Sequence, residues 1–156
     1  MSATTRPARP GEVEGHDYLF LDRATFEKWQ EAGEFVESFE VFGHLYGTPR
    51  RPLVDHLAAG DDVILEIDVQ GAMAVRKAFP DAVLVFLRPP SREVQRERLL
   101  ARAGDALDSI ERRLAKANAE EAMAAEFDLV VVNDDLEAAV EQVAAILEAR
   151  RTSSGD

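Results

Sequence analysis

A chain of 156 residues, 46% hydrophobic and 31% charged, can bury the core of one globular domain. Its net charge of −12 argues against general nucleic-acid binding, which rests on clustered Lys and Arg. With no Cys, no signal-peptide pattern and no apolar run long enough to span a membrane, the chain reads as cytoplasmic, without disulfides or thiolate metal sites.

In chain order, Tyr18–Leu21 predicts a short strand and Ala24–Glu31 a helix ended by Gly33. Phe35-Val-Glu-Ser-Phe-Glu-Val-Phe42 alternates apolar and polar residues, the period of a half-buried strand. Arg51–Ala59 predicts a helix stopped by Gly60. Val63-Ile-Leu-Glu-Ile67 and Val83-Leu-Val-Phe-Leu87 are nearly continuous apolar runs, as in parallel strands covered on both faces, with a Gly71–Ala78 helix between them. Ser91 is an N-cap for a helix with Val94, Leu99 and Leu100 as its apolar positions. Ile110, Leu114, Ala117 and Ala124 mark another helix, followed by the strand Leu129-Val-Val-Val132. A last amphipathic helix from about Leu136 to Ala149 turns Ala139, Val143, Ile146 and Leu147 inward, and residues 151–156 read as a disordered tail. The pattern predicts an α/β fold: a parallel sheet with helices on both faces, plus a small antiparallel insert near the N-terminus.

Three groups of residues could carry chemistry. The first is Ser2, Arg6, Arg9, Glu12, Tyr18, Glu37, Tyr46 and Thr48, with Glu66 and Asp68 later in the chain. The planar donor fork of arginine suits phosphate oxygens, and tyrosine adds a hydroxyl on a rigid ring. A carboxylate such as Glu37 can accept from the N1–H and exocyclic amine of guanine. Taken one at a time, these residues are solvated surface charges and half-buried strand tyrosines; as an ordered set they point to a purine nucleotide monophosphate pocket. The second group is Arg98, Arg102 and Arg113. Arg98 and Arg102 stand four residues apart on one helix face, where like charges repel and an anionic partner would relieve them. A solvated face paired with Glu93, Glu97 or Glu111 is the simpler alternative. The third is Asn133-Asp134-Asp135, a turn and N-cap signal for the last helix. His16, His44 and His56 lack metal-ligand spacing, and Trp29 reads as a packing residue.

The runs Ser2-Ala-Thr-Thr-Arg6-Pro-Ala-Arg9-Pro-Gly-Glu12, Gly15-His-Asp-Tyr18, Gly33-Glu-Phe-Val-Glu37, Tyr46-Gly-Thr48, Leu65-Glu-Ile-Asp-Val-Gln-Gly-Ala72 and Val131-Val-Asn-Asp-Asp135 resemble bacterial guanylate kinase, in order and across residues 1–150. The resemblance implies a nucleoside monophosphate kinase-like fold in a single domain, with a GMP-binding region at about residues 2–51 and a helical lid at about 98–113. It implies that Arg6, Arg9 and Tyr18 hold the GMP phosphate, with Glu12 in the same group. Ser2, Glu37, Tyr46 and Thr48 would shape the pocket and read guanine, with Glu66 and Asp68 nearby. Arg98, Arg102 and Arg113 would close over ATP and the transferring phosphoryl group, and Asn133 would border the adenine. Leu45 departs from the family, which usually has a second aromatic before Tyr46-Gly47, and Arg102-Ala-Gly-Asp-Ala departs from its usual Arg-Gly turn.

The family's Gly-x-x-x-x-Gly-Lys-Ser/Thr loop, which cradles ATP phosphates and contributes a hydroxyl to Mg²⁺, occurs nowhere in these residues, and neither does the strand before it. Met1 stands where the family commonly has valine, and a GTG codon can be read as a start. The expectation is therefore that the reading frame continues upstream through strand and loop; an in-frame stop just before Met1 would exclude it. The implied activity is ATP-dependent conversion of GMP to GDP with Mg²⁺ carried on ATP, nearly lost without the loop. The alternative is a non-catalytic module that binds GMP or a protein partner. An adenylate- or pyrimidine-type kinase fits the N-terminal motif poorly, and no nucleic-acid or membrane partner is expected.

Overall fold

The computed structural model describes residues 1–101 and 107–153. It divides into two compact units, Met1–Ala82 and Val83–Asp156.

The first unit is built on a four-stranded sheet. Its elements are β1 (Ala3–Thr4), β2 (Leu19–Phe20), helix α1 (Arg23–Glu31), β3 (Phe35–Val41), β4 (His44–Pro49) and helices α2 (Arg50–Ala58) and α3 (Val69–Ala78). Strand order is β2-β1-β4-β3, with β1 parallel to β2 and antiparallel to β4. The β3–β4 hairpin turns on Phe42 and Gly43, whose φ values of 51° and 85° are the paired positive angles of a two-residue turn that matches strand twist.

Helix α1 starts at Asp22, whose carboxylate accepts from the Thr25 amide at 2.9 Å. It ends where Gly33, at φ 70°, lets the Glu34 amide reach Trp29 O at 3.0 Å and the Gly33 amide reach Gln30 O at 3.1 Å. Its buried face is Phe26, stacked on Phe35 with ring centroids 4.5 Å apart, and Trp29 packs on Phe35 from the side. Ala3 and Leu45 complete that core. A second cluster joins Val36, Leu53 and Val75, with Val63, Leu65, Ile67 and Phe79 against it.

Between the two clusters β3 carries a bulge. Phe35 pairs with Pro49, yet Glu37 pairs with Thr48, so Val36 and Glu37 both stand opposite one residue. Phe35 belongs to the α1 core and Val36 to the α3 core. Two residues later than Phe35, Glu37 would share its face in a regular strand; the bulge turns it over to the α3 side. The clean alternation expected for residues 35–42 therefore gives way to three consecutive buried residues, Phe35, Val36 and Glu37.

The second unit contains β5 (Val85–Arg88), α4 (Arg92–Ala101), α5 (Leu107–Glu121), a 3₁₀ turn at Ala124–Glu126, β6 (Leu129–Val132) and α6 (Leu136–Ser153). Strands β5 and β6 pair in parallel, Val85 with Leu129 through Arg88 with Val132. Ser91 caps α4 through Val94, and Asp135 caps α6 through Ala138. Ala139 of α6 is buried, with Val143, Ile146 and Leu147 half-buried. The helix runs through Ser153, past its expected end near Ala149 and into the stretch expected to be disordered, with the Thr152 hydroxyl donating to Ala149 O at 2.8 Å.

The fold is mixed α/β, as the sequence pattern implies, but two details differ. No strand is assigned to Val63–Ile67 among the described residues. Its alternate residues Val63, Leu65 and Ile67 pack into the second cluster while Ile64 is 67% exposed, so the run is covered on one side rather than two. In the second unit Leu87, Leu129 and Val130 are exposed, where a sheet covered on both faces would bury them. Apolarity alone marked Val63–Ile67 as a strand; a ladder also needs a second strand in register beside it.

Gly47 is fixed by sterics rather than by its backbone angles. A Cβ there would lie 2.9 Å from the Phe35 ring, 3.0 Å from Glu37 O and 3.1 Å from the Phe26 ring. Gly47→Ala is expected to destabilise the protein by about 1–3 kcal/mol, the usual range for overpacking, read as a lower midpoint in urea unfolding.

Candidate functional site

Register sorts the residues of β4 onto two faces. Leu45 belongs to the α1 core and Gly47 abuts Phe35 and Phe26. Tyr46 and Thr48 point the other way. Thr4 pairs with Tyr46 and Glu37 with Thr48, so Thr4, Tyr46, Thr48 and Glu37 share the face opposite α1. Leu45, the departure from the family's usual aromatic, is thus on the core face and away from this one.

At one end of the face stands Arg6. Its guanidinium donates through both terminal nitrogens to Glu12, at 2.8 and 2.9 Å, and to Pro7 O at 2.7 Å. It lies 5.4 Å from the Tyr18 ring centroid, and Tyr18 meets Tyr46 edge-on at 6.3 Å. The hydrogen bond with Glu12 raises the Arg6 pKa above its ordinary value, with burial opposing and the Tyr46 hydroxyl adding. Glu12 is held below the usual carboxylate range, first by the Arg6 fork and then by the Arg9 amide, which donates to it at 2.7 Å. The Arg9 side chain is exposed and makes no hydrogen bond among the described residues. Ser2 contributes its carbonyl to the Leu19 amide at 2.9 Å.

At the other end stands a buried pair. The Thr48 hydroxyl donates to Glu37 Oε1 at 2.6 Å, and both residues are buried. Desolvation pushes the Glu37 carboxyl upward, the nearby Asp68 charge pushes the same way, and the Thr48 hydrogen bond opposes them. Asp68 caps α3 by accepting from the Gly71 amide at 3.0 Å, whereas Glu66 is exposed. The structure therefore gathers Arg6, Glu12, Tyr18 and Tyr46 into one group, and Glu37, Thr48 and Asp68 into a second.

The arginines of the second group lie in the second unit. Arg98, on α4, donates to Asn133 O at 2.8 Å and Asp134 O at 3.3 Å, holding the turn between β6 and α6 rather than pairing with Glu93, Glu97 or Glu111. Arg113 is on α5, and Arg102 lies outside the described residues. Asn133 sits in that turn, with its amide donating to Arg88 O at 2.8 Å. No group of three or more His, Cys, Asp or Glu that could hold a metal occurs among the described residues.

The guanylate kinase family model matches residues 1–150. The chain belongs to the guanylate kinase family. A guanylate kinase of Gloeobacter violaceus is 55% identical over 147 residues, 94% of this chain and 72% of the relative. One from Thermus thermophilus is 52% identical over 155 residues, 99% and 70% respectively. The crystal structure of guanylate kinase from Anaplasma phagocytophilum superposes with a TM-score of 0.83 at 38% identity, covering 96% of this chain and 73% of that one.

Sequence reasoning missed two contributors. Thr4 is fully buried, donates to Leu45 O at 3.0 Å and accepts from the Arg6 amide at 3.1 Å, fixing where Arg6 leaves the sheet. A two-residue strand carries no periodicity that would expose it. Gly71 abuts the Glu37 carboxylate, a contact that only the tertiary fold creates.

The raised pKa of Glu37 has a definite sign in stability. The folded state binds the proton more tightly than the unfolded state, so Glu37's contribution is most favourable at low pH. It is lost as pH rises from the ordinary carboxylate value through the raised one. Urea unfolding of wild type and Glu37→Gln from pH 4 to 8 is expected to show their stability difference shifting against the wild type as pH rises; a flat difference would contradict the shift.

Proposed function

We propose that the first unit holds GMP across the face opposite α1, as phosphoryl acceptor in ATP-dependent formation of GDP. The observation that carries this reading is the division of one sheet face into an arginine–tyrosine end and a buried carboxylate end. Arg6, with Arg9 and Tyr18, binds the phosphate, and Glu12 orients the Arg6 fork. Glu37, with Thr48 donating to its other oxygen, accepts from guanine, while Tyr46 and Ser2 shape the pocket and Asp68 and Glu66 border it. Adenine offers no matching donor pair, so a buried carboxylate here selects guanine.

Arg98, Arg102 and Arg113 stabilise charge spreading over the transferring phosphoryl group, and Asn133 borders the adenine of ATP. Arg98 must then release the carbonyls of Asn133 and Asp134, which engage it in this structure. In this reading Mg²⁺ is carried on ATP, bridging its phosphate oxygens. A cytoplasmic location fits this substrate pair, and no helix of the described residues is long and apolar enough to cross a membrane. Because these 156 residues contain no Gly-x-x-x-x-Gly-Lys-Ser/Thr string, low turnover is expected of them alone.

The alternative is a GMP-binding module without catalysis, which the engagement of Arg98 by backbone carbonyls favours. GMP titration calorimetry together with a coupled assay of GDP formation separates the two. In both readings Arg6→Ala and Arg9→Ala are expected to weaken GMP binding by roughly 1.5–3 kcal/mol each, as for a charge-assisted hydrogen bond. Unchanged affinity in both variants would remove the phosphate site.

A further inference from the structure

Helix α3 contains a buried glycine that its backbone does not demand. Gly71 stands three residues after the cap Asp68, within the helical span Val69–Ala78 and without a positive φ. A helical position ordinarily favours Ala over Gly, because glycine loses more backbone freedom on folding and adds no packing. What a methyl group would meet here is specific: Glu37 Oε2 at 3.1 Å, Ile67 Cβ at 3.2 Å and Glu37 Cδ at 3.4 Å.

On its other oxygen the same carboxylate is held by the Thr48 hydroxyl at 2.6 Å. It therefore lies between two walls, a hydrogen bond from β4 and the bare Cα of α3. The α3 wall is itself fixed, since the Gly71 amide is tied to Asp68 at 3.0 Å. A Cβ at position 71 would press on a buried carboxylate whose retreat is limited by Thr48.

We infer that Gly71 is a specificity-determining positioning residue, whose missing side chain lets the Glu37 carboxylate sit where it can accept from both guanine donors. This rests on the assignment of Glu37 as the guanine reader. Gly71 touches no substrate itself; it acts through the position of Glu37. A methyl there displaces the carboxylate by a few tenths of an ångström, enough to spoil a two-donor contact more than a one-donor contact.

The test compares GMP with inosine monophosphate, which keeps N1–H and lacks the exocyclic amine, by titration calorimetry on the full chain. Gly71→Ala is expected to weaken GMP binding about tenfold and inosine monophosphate by less than about twofold. Glu37→Gln alone should collapse the preference for GMP, and adding Gly71→Ala to it should change the ratio no further. Equal weakening of both nucleotides by Gly71→Ala, or an unchanged ratio while Glu37→Gln collapses it, overturns the role of Gly71 and leaves Glu37 standing. A preference that survives Glu37→Gln overturns the reading of Glu37, and this inference with it. Should Gly71→Ala fail to fold, Glu37→Asp withdraws the carboxylate by one methylene and makes room for the methyl. Gly71→Ala added to Glu37→Asp is then expected to leave that variant's nucleotide ratio unchanged, and a further loss would overturn the inference.

Discussion

The pairing of β1 with β4 is the contact on which the rest of the first unit depends. Only Ala3 and Thr4 form β1, yet they occupy an inner position of the sheet, with β2 on one side and β4 on the other. Both are fully buried, so every polar group they carry needs a partner. The Thr4 hydroxyl satisfies this by bridging Leu45 O and the Arg6 amide. The same bridge brings the chain out of the sheet with Arg6 against Tyr18 and Tyr46. The phosphate-facing end of the proposed site is thus a by-product of closing the sheet, because an arginine two residues beyond a buried, doubly bonded threonine has little freedom in where it emerges.

Much of the fold was legible because helix punctuation is local. Gly33 ends α1, Ser91 opens α4, and Asp135 opens α6, each through a cap that lies within a few residues of its partner; Asp22, which opens α1 in the same way, was not read as a cap. Strands were read less well, since pairing is a property of two segments. Leu129–Val132 was found in full, and it has β5 beside it. Val63–Ile67 has the same apolar content and no strand assignment. The bulge at Val36–Glu37 left a trace that a period-2 reading passes over: Phe35-Val36 and Glu37-Ser38 interrupt the alternation that holds over Ser38–Val41, and the register of β4 turns that interruption into a bulge.

The site divides along the same line. Residue type and order pointed to Arg6, Tyr18, Tyr46, Glu37 and Thr48, and these five fall into two neighbouring groups on one sheet face. Glu12 was read as part of a phosphate pocket, and its visible role is to grip Arg6 with both oxygens. Such a bidentate pair pre-sets the plane of the guanidinium and, with Pro7 O, takes up its terminal fork, so in the proposed site a phosphate would be met by the Nε–Nη2 edge of an already oriented side chain. Thr4 and Gly71 remained invisible because neither offers chemistry of its own; each matters through what it permits a neighbour to do.

The carboxylate end shows how local preference yields to the site. A regular β3 would place Glu37 towards the Phe26–Phe35 core, where an ionised carboxyl has no partner. The bulge moves it to the α3 side, and the strand gives up one regular ladder position to do so. There it is still desolvated and still faces the charge of Asp68, both of which favour its protonated form. Thr48 opposes them twice, through its hydroxyl at 2.6 Å and through its backbone amide. A pair of ligand donors reaching the same carboxylate would act in the same direction as Thr48 and add to it. In the proposed site the two guanine donors would join Thr48 in holding the charged carboxylate, so discrimination between nucleotides would come from hydrogen bonds that only guanine completes.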